Sequence, residues 1–576
     1  MSKLLKYLLA LLLVVGFVGS DVVAAKSYNA KEQVSNSDNY KKGIIQETKY
    51  GPVKGYENVE ENTLVWKGIP YAKPPVDELR WKAPEEPAPF DGIFDATEFG
   101  HIAIQNSASG IIGEEDSLNL DIYRPNTNKK HLPVFFFIHG GNNQSGKSGE
   151  ITGDAFVNDV EAIFVSINYR LGPLGFNPLP ALNTGDRLED SGNYALLDIA
   201  QSLDWVKENI ESFGGDPNNI TISGFSAGGR DVMAALASPI FEGKFQKAIA
   251  FSGGMTIADE DDSIKVFAKA IAPLVVEDQV KSTEEEAYQW LQQEDEAVRE
   301  YLYSLSADRL SGLMGNAAIR MSVFPHLYND GYVLPKEKFE TSDYNSVPLM
   351  MLTGTSEFSF FAFGDPYFAR SLQDGSLFTD ETKRAEFEFA KKYGSDLYTL
   401  FNTQESAETM YDNYKEPIYT IQIPFGEDMK TTTDMDLFGS FHGIFVPLLD
   451  SNNQTYLPLM RQSFELEGAK ELSSQFKNYV ANFLHKGNPN NGPKLTKWDN
   501  WTKENPATLV LTANDTDAYA HMSEVTMTKN DVIKEIEQDT TISAEAKKKI
   551  VSEVLNGRWF SAELDAYYQN EDLWIK

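Results

Sequence analysis

Cysteine is absent from all 576 residues, which excludes disulfides, a thiol nucleophile, thiolate metal sites and the lipid-bearing cysteine of a bacterial lipoprotein. Positive charge is scarce as well: 51 Lys and Arg stand against 85 Asp and Glu, a formal net charge of −34. Such a surface repels polyanions, so nucleic acid and anionic membranes are excluded as partners. Histidine is rare, with seven in the chain, and any histidine chemistry has few candidates. No H-E-x-x-H or Cys/His cluster exists, so neither a metal nor another cofactor is expected. Internal repeats and long linkers are missing too. The length allows one large catalytic domain or two or three ordinary ones.

What is present begins with residues 1–25. Lys3 and Lys6 precede an apolar run over 8–18 and then small residues up to Ala25, the anatomy of a cleavable signal peptide. The run is too short to span a bilayer, so no stable membrane anchor is expected and the protein reads as secreted or periplasmic. Continuous apolar or β-branched runs at 134–138, 163–168, 219–223, 247–251, 347–353 and 507–511 have strand length and suit strands covered on both faces. Residues 195–213 carry apolar positions at helical spacing and predict a crossover helix. The fold class is therefore α/β with a mostly parallel sheet. Two polar helical regions, 263–315 and 375–415, read as insertions that roof one end of it. A catalytic domain over 26–515 and a helical C-terminal extension over 516–576, with helices near 529–537, 544–555 and 560–568, complete the expected organisation.

Gly224-Phe225-Ser226-Ala227-Gly228 follows the strand at 219–223 and precedes a helix-forming stretch. A hydroxyl nucleophile displayed on a sharp strand-to-helix turn needs this pattern, with glycines where side chains would crowd the turn. A chance G-x-S-x-G is the bland alternative. A second motif competes: Gly141–Ser148 satisfies G-x-x-x-x-G-K-S after a strand, which would suggest nucleotide binding. The residues after Ser148 start a helix poorly, however, and the 163–168 strand offers no terminal Asp for magnesium.

Further segments place the elbow in a series: Gly68–Pro75, Leu79-Arg80-Trp81, Glu115–Ile122, His139-Gly140-Gly141, Asn168–Gly172, Phe213–Pro217, Ala248–Gly253 and Lys486–Pro489 with Trp498. Together they resemble the type-B carboxylesterases, the cholinesterase-like α/β-hydrolases, over roughly residues 43–511. The resemblance implies an α/β-hydrolase fold and a serine carboxylic-ester hydrolase acting on small-molecule esters. Its catalytic residues would be Ser226, His442 in Ser440-Phe441-His442-Gly443, and Glu357, where Phe358 replaces the family's usual following glycine. The oxyanion hole would use backbone N–H groups of Gly141, Asn142 and Ala227. Asn142 stands where the family has Gly or Ala, and its side chain is expected to narrow the acyl pocket or bond the substrate. The family's first disulfide would join positions 103 and 117, occupied here by Ala103 and Ser117, and the loop between them lacks the Trp that binds choline. Phe225 and Phe445 replace two glutamates of many relatives, so an apolar wall of the substrate pocket is expected. Arg80 with Glu115 and Arg170 with Asp198 are implied scaffold ion pairs. A catalytically silent adhesion module of the same fold is the rival reading, since fold alone does not fix function.

Overall fold

The run Leu132–Ile138 is buried at every position, the pattern of a strand covered on both faces. This computed structural model describes residues 40–314, 320–432, 435–492 and 495–570, so the expected signal peptide lies outside the described residues. The central sheet takes β1 Tyr56–Asn58, β2 Thr63–Pro70, β3 Asn119–Pro125, β4 Leu132–Ile138, β5 Ile163–Ile167, β6 Gly215–Phe225, β7 Lys247–Phe251, β8 Leu349–Gly354, β9 Ile418–Ile423, β10 Ala507–Ala513 and β11 Ala518–Glu524. Their order is β11-β10-β9-β8-β7-β6-β4-β5-β3-β2-β1. The stretch from β5 to β10 is parallel throughout, and the flanking strands run antiparallel.

The chain passes from β4 to β5 on one side, then crosses through helix α1, Tyr194–Asn209, to β6 on the other side of β4. Strand order reverses there, which opens a crevice beyond the carboxyl ends of β4 and β6. In-register pairing brings Gly224 beside Ile138, Phe225 beside Phe251, Phe251 beside Leu352 and Gly354 beside Ile423. The loops that follow these strands therefore emerge along one edge.

Both scaffold ion pairs are present. Arg80 grips Glu115 with Nε and Nη2 at 2.7 and 2.6 Å, and buried Arg170 grips Asp198 at 2.8 and 2.7 Å. The segment after residue 515 differs from expectation. It opens with β11, antiparallel to β10, before the helices Lys529–Gln538, Ala544–Lys549 and Ala562–Tyr568. β11 faces partial exposure along its length, and so lacks the apolar run that marks the inner strands. Among the described residues no helix is long and apolar enough to cross a membrane.

Candidate active site

β6 ends at Phe225, and Ser226 turns the chain at φ 56°, ψ −113° into helix α2, Ala227–Ala237. That conformation is strained for a residue with a side chain, and such strain gathers at functional turns. The flanking glycines are required by contact. A Cβ on Gly224 would stand 2.2 Å from the Gly228 carbonyl oxygen, and one on Gly228 would stand 2.2 Å from that of Ile138. The Ser226 N–H donates to Phe251 O at 2.9 Å, locking the turn to β7.

His442 follows β9 and Glu357 follows β8. Ser356 N–H donates to Ser440 O at 2.9 Å, which ties the two loops together and brings His442 Nδ1 to 2.5 Å from Glu357 Oε2. Glu357 is fully buried. Its Oε1 accepts from Ser252 Oγ at 2.6 Å, Gly354 N at 2.6 Å and Thr353 Oγ1 at 3.2 Å. The His442 ring is caged by Phe225, Phe361 and Tyr398 at centroid separations of 4.7, 5.1 and 5.4 Å. Among the described residues His442 Nε2 has no hydrogen-bond partner. The Tyr398 hydroxyl donates to Ser252 O at 3.4 Å, and burial and then the Glu357 charge hold this phenol far above its ordinary ionisation range.

Phe445 does not line this cage. It is fully buried, stacks on Phe251 at 4.1 Å and touches Phe225 at 5.1 Å, so it backs the apolar wall while Phe225 forms its inner face. Asn142 also departs from expectation. Its Oδ1 accepts from Arg230 Nη2 at 2.9 Å and its Nδ2 donates to Gln144 Oε1 at 2.9 Å, so both ends of the amide are committed to the protein rather than to a substrate. No described residue accepts the N–H of Gly141, Asn142 or Ala227. Nearby His139 donates from Nδ1 to Gly140 O at 2.8 Å, and burial lowers it to about 4, which keeps it neutral. The Gly141–Ser148 segment opens only the short turn Ser148–Glu150, and Gly146 N–H is taken by Gln105 Oε1 at 2.8 Å. A phosphate cradle needs free amides at a helix start, so the nucleotide reading fails.

Several neighbours carried no motif. Tyr398 comes from helix α3, Glu381–Leu400, so the second insertion does reach the site. The first packs through Phe267 on Phe324 and Tyr328, and its Ser311 and Leu313 line a small cavity with Gln144 and Ser145. Arg230 and Asp231 are buried on α2. Arg230 Nη1 donates to His326 Nε2 at 2.8 Å, and Trp559 of the C-terminal extension lies 3.8 Å from its Cζ. Burial lowers the guanidinium to about 10 and raises the Asp231 carboxyl to about 7. The available signal was a pair of charges inside an otherwise apolar helix, Ala227–Ala237.

The sheet order and serine elbow are those of an α/β-hydrolase. Residues 42–531 match the profile of the Carboxylesterase family, and the chain belongs to that family. It is 30% identical over 501 residues to the para-nitrobenzyl esterase of Bacillus subtilis, spanning 81% of this chain and 94% of that one. It is 38% identical over 221 residues to the fumonisin B1 esterase of Sphingopyxis macrogoltabida, 37% of this chain and 40% of the other. Among solved structures, a PNB esterase superposes with a TM-score of 0.64 at 26% identity, covering 85% of this chain and 99% of that one. A thermophilic PNB esterase gives 0.65 at 25% identity over the same shares. The protein is accordingly a carboxylesterase.

Proposed function

We propose that the enzyme hydrolyses carboxylic esters through an acyl-enzyme on Ser226. His442 takes the Ser226 proton as the hydroxyl attacks the ester carbonyl, and Glu357 orients the imidazole and steadies its positive charge. The N–H groups of Gly141, Asn142 and Ala227 receive the oxyanion of the tetrahedral intermediate. The proton passes to the leaving alcohol, and water activated by His442 then releases the acid. The observation that carries this reading is the 2.5 Å contact of buried Glu357 with His442, beside a serine held at φ 56°. The unpartnered Nε2 suits a base whose bond to serine tightens when substrate binds.

The apolar face of Phe225 on His442 favours neutral or anionic acyl groups over cationic ones, since a cation there would lose water without a counter-charge. The para-nitrobenzyl and fumonisin esters named for the relatives are first substrates to try. The Lys3, Lys6 and apolar N-terminal pattern supports export across a membrane. A panel of p-nitrophenyl esters of increasing acyl length tests the mechanism. The expected result is turnover by the wild type and loss of about 10⁴-fold or more in kcat for Ser226→Ala. Ester turnover unchanged in Ser226→Ala contradicts the acyl-enzyme, and absence of a fluorophosphonate adduct on Ser226 favours the adhesion module.

A further inference from the structure

Three consecutive residues of the loop after β4 hold left-handed backbone: Gly141 at φ 97°, Asn142 at 57° and Asn143 at 56°. Asparagine tolerates this region better than most residues, yet a run of it persists only where the surroundings over-determine it. The surroundings are two adjacent side chains on α2. Arg230 Nη2 donates to Asn142 Oδ1 at 2.9 Å, and Asn143 Nδ2 donates to Asp231 Oδ1 at 2.8 Å. Asn143 Oδ1 also accepts from the Tyr169 hydroxyl at 2.9 Å, and its carbonyl accepts from Gly172 N–H at 2.7 Å. The helix that begins at the nucleophile thus grips both asparagines of the loop facing it.

The setting of Arg230 shows that this grip is more than packing. Buried arginines are ordinarily paired with carboxylates. Arg230 is fully buried, yet among the described residues no carboxylate forms an ion pair with it, and Asp231 turns to Asn143 instead. Its partners are His326, Asn142 and the ring of Trp559, while Nε meets no acceptor. The guanidinium is held by neutral groups and aimed at one residue of the loop.

We propose that Arg230 and Asp231 are positioning residues for ester hydrolysis, a clamp that fixes the Asn142 and Asn143 peptides so that their loop presents its amides to the oxyanion. The proposal rests on the acyl-enzyme reading above. It explains the asparagine at 142: a glycine or alanine would give Arg230 nothing to hold. A misplaced donor costs transition-state stabilisation while leaving ground-state binding alone, so the clamp belongs to kcat rather than KM.

A double-variant cycle tests it. Arg230→Gln is expected to lower kcat by about 10²-fold with KM within about twofold, and to weaken a trifluoromethyl ketone inhibitor, which forms the tetrahedral adduct, in proportion to kcat. Asn142→Gly removes the acceptor while leaving Arg230 and its other partners in place, and is expected to lower kcat by about tenfold. Because both act through one hydrogen bond, the double variant is expected to be no worse than Arg230→Gln alone. Losses that multiply, a rise in KM at constant kcat, or full kcat in Asn142→Gly overturn the proposal. If Arg230→Gln does not fold, Asn142→Gly with the ketone decides alone. If the wild type hydrolyses no ester, the acyl-enzyme reading fails, and the same cycle in thermal unfolding decides the clamp: coupled losses support it and additive losses overturn it.

Discussion

Glu357 divides its work between two oxygens: Oε2 receives His442 Nδ1, while Oε1 collects the Gly354 amide and the Ser252 and Thr353 hydroxyls. That division makes Glu357→Gln informative. Three donors require an oxygen at the inner position, so the amide NH₂ must face His442. The imidazole would then accept at Nδ1 and carry its proton on Nε2, the wrong tautomer for a base. A fall in kcat of about 10⁴-fold is expected, with thermal unfolding close to wild type; retention of more than a tenth of wild-type kcat contradicts the assignment. The proposed Ser226, Glu357 and His442 could be named from the sequence because each sits in a local pattern beside a strand end. Tyr398, Arg230 and Asp231 were not, because what defines them is a partner far along the chain.

The C-terminal extension reaches the site through a single turn. Arg558 is fully buried and bonds Asp365 Oδ2 at 3.1 Å and Val554 O at 2.8 Å. This fixes Trp559 over Arg230 at 3.8 Å and stacks Phe560 on Tyr398 at 4.7 Å. An element that reads as an appendage in the sequence therefore backs both the aromatic cage around His442 and, through Arg230, the loop at Asn142. Its helices were expected near 529–537, 544–555 and 560–568; its docking was not, since aromatic stacking leaves no periodic trace. Trp559→Ala is expected to cost about 3–5 kcal/mol in urea unfolding, as for other large buried aromatics, and to lower kcat with it. Trp559→Phe keeps a ring over the guanidinium and is expected to recover most of both. Equal losses in the two variants would show that ring contact with Arg230 is not what matters. Six of the seven strands in the parallel stretch were legible for the converse reason, since burial on both faces writes an apolar run; β9, Ile418–Ile423, was missed because Thr420 and Gln422 interrupt its run, and β11, half exposed, writes none.

At the scale of the whole molecule two electrostatic costs act on the fold and respond to different variables. The net charge of −34 sets surface carboxylates against one another, a repulsion that salt screens within about 10 Å at 0.1 M. The second cost is internal. Burial raises Asp121 to about 6 and Asp231 to about 7, whereas unfolded aspartates ionise near about 3.9. Between those values the folded chain holds more protons on these two carboxyls, so their contribution to stability falls as pH rises from 5 to 7, opposed below about 6.5 by buried His139, which folding holds neutral. Surface carboxylates are already ionised across that window. Added salt is therefore expected to lift the whole curve of unfolding temperature against pH without changing its slope, because the buried groups lie beyond the reach of ions. Asp231→Asn preserves an oxygen to accept from Asn143 and removes the ionisation. It is expected to flatten the slope above pH 6 and to leave the salt effect intact. Calorimetric unfolding at four pH values and two salt concentrations separates the two costs. An Asp231→Asn slope equal to that of the wild type between pH 6 and 7 would place the pH dependence elsewhere in the molecule.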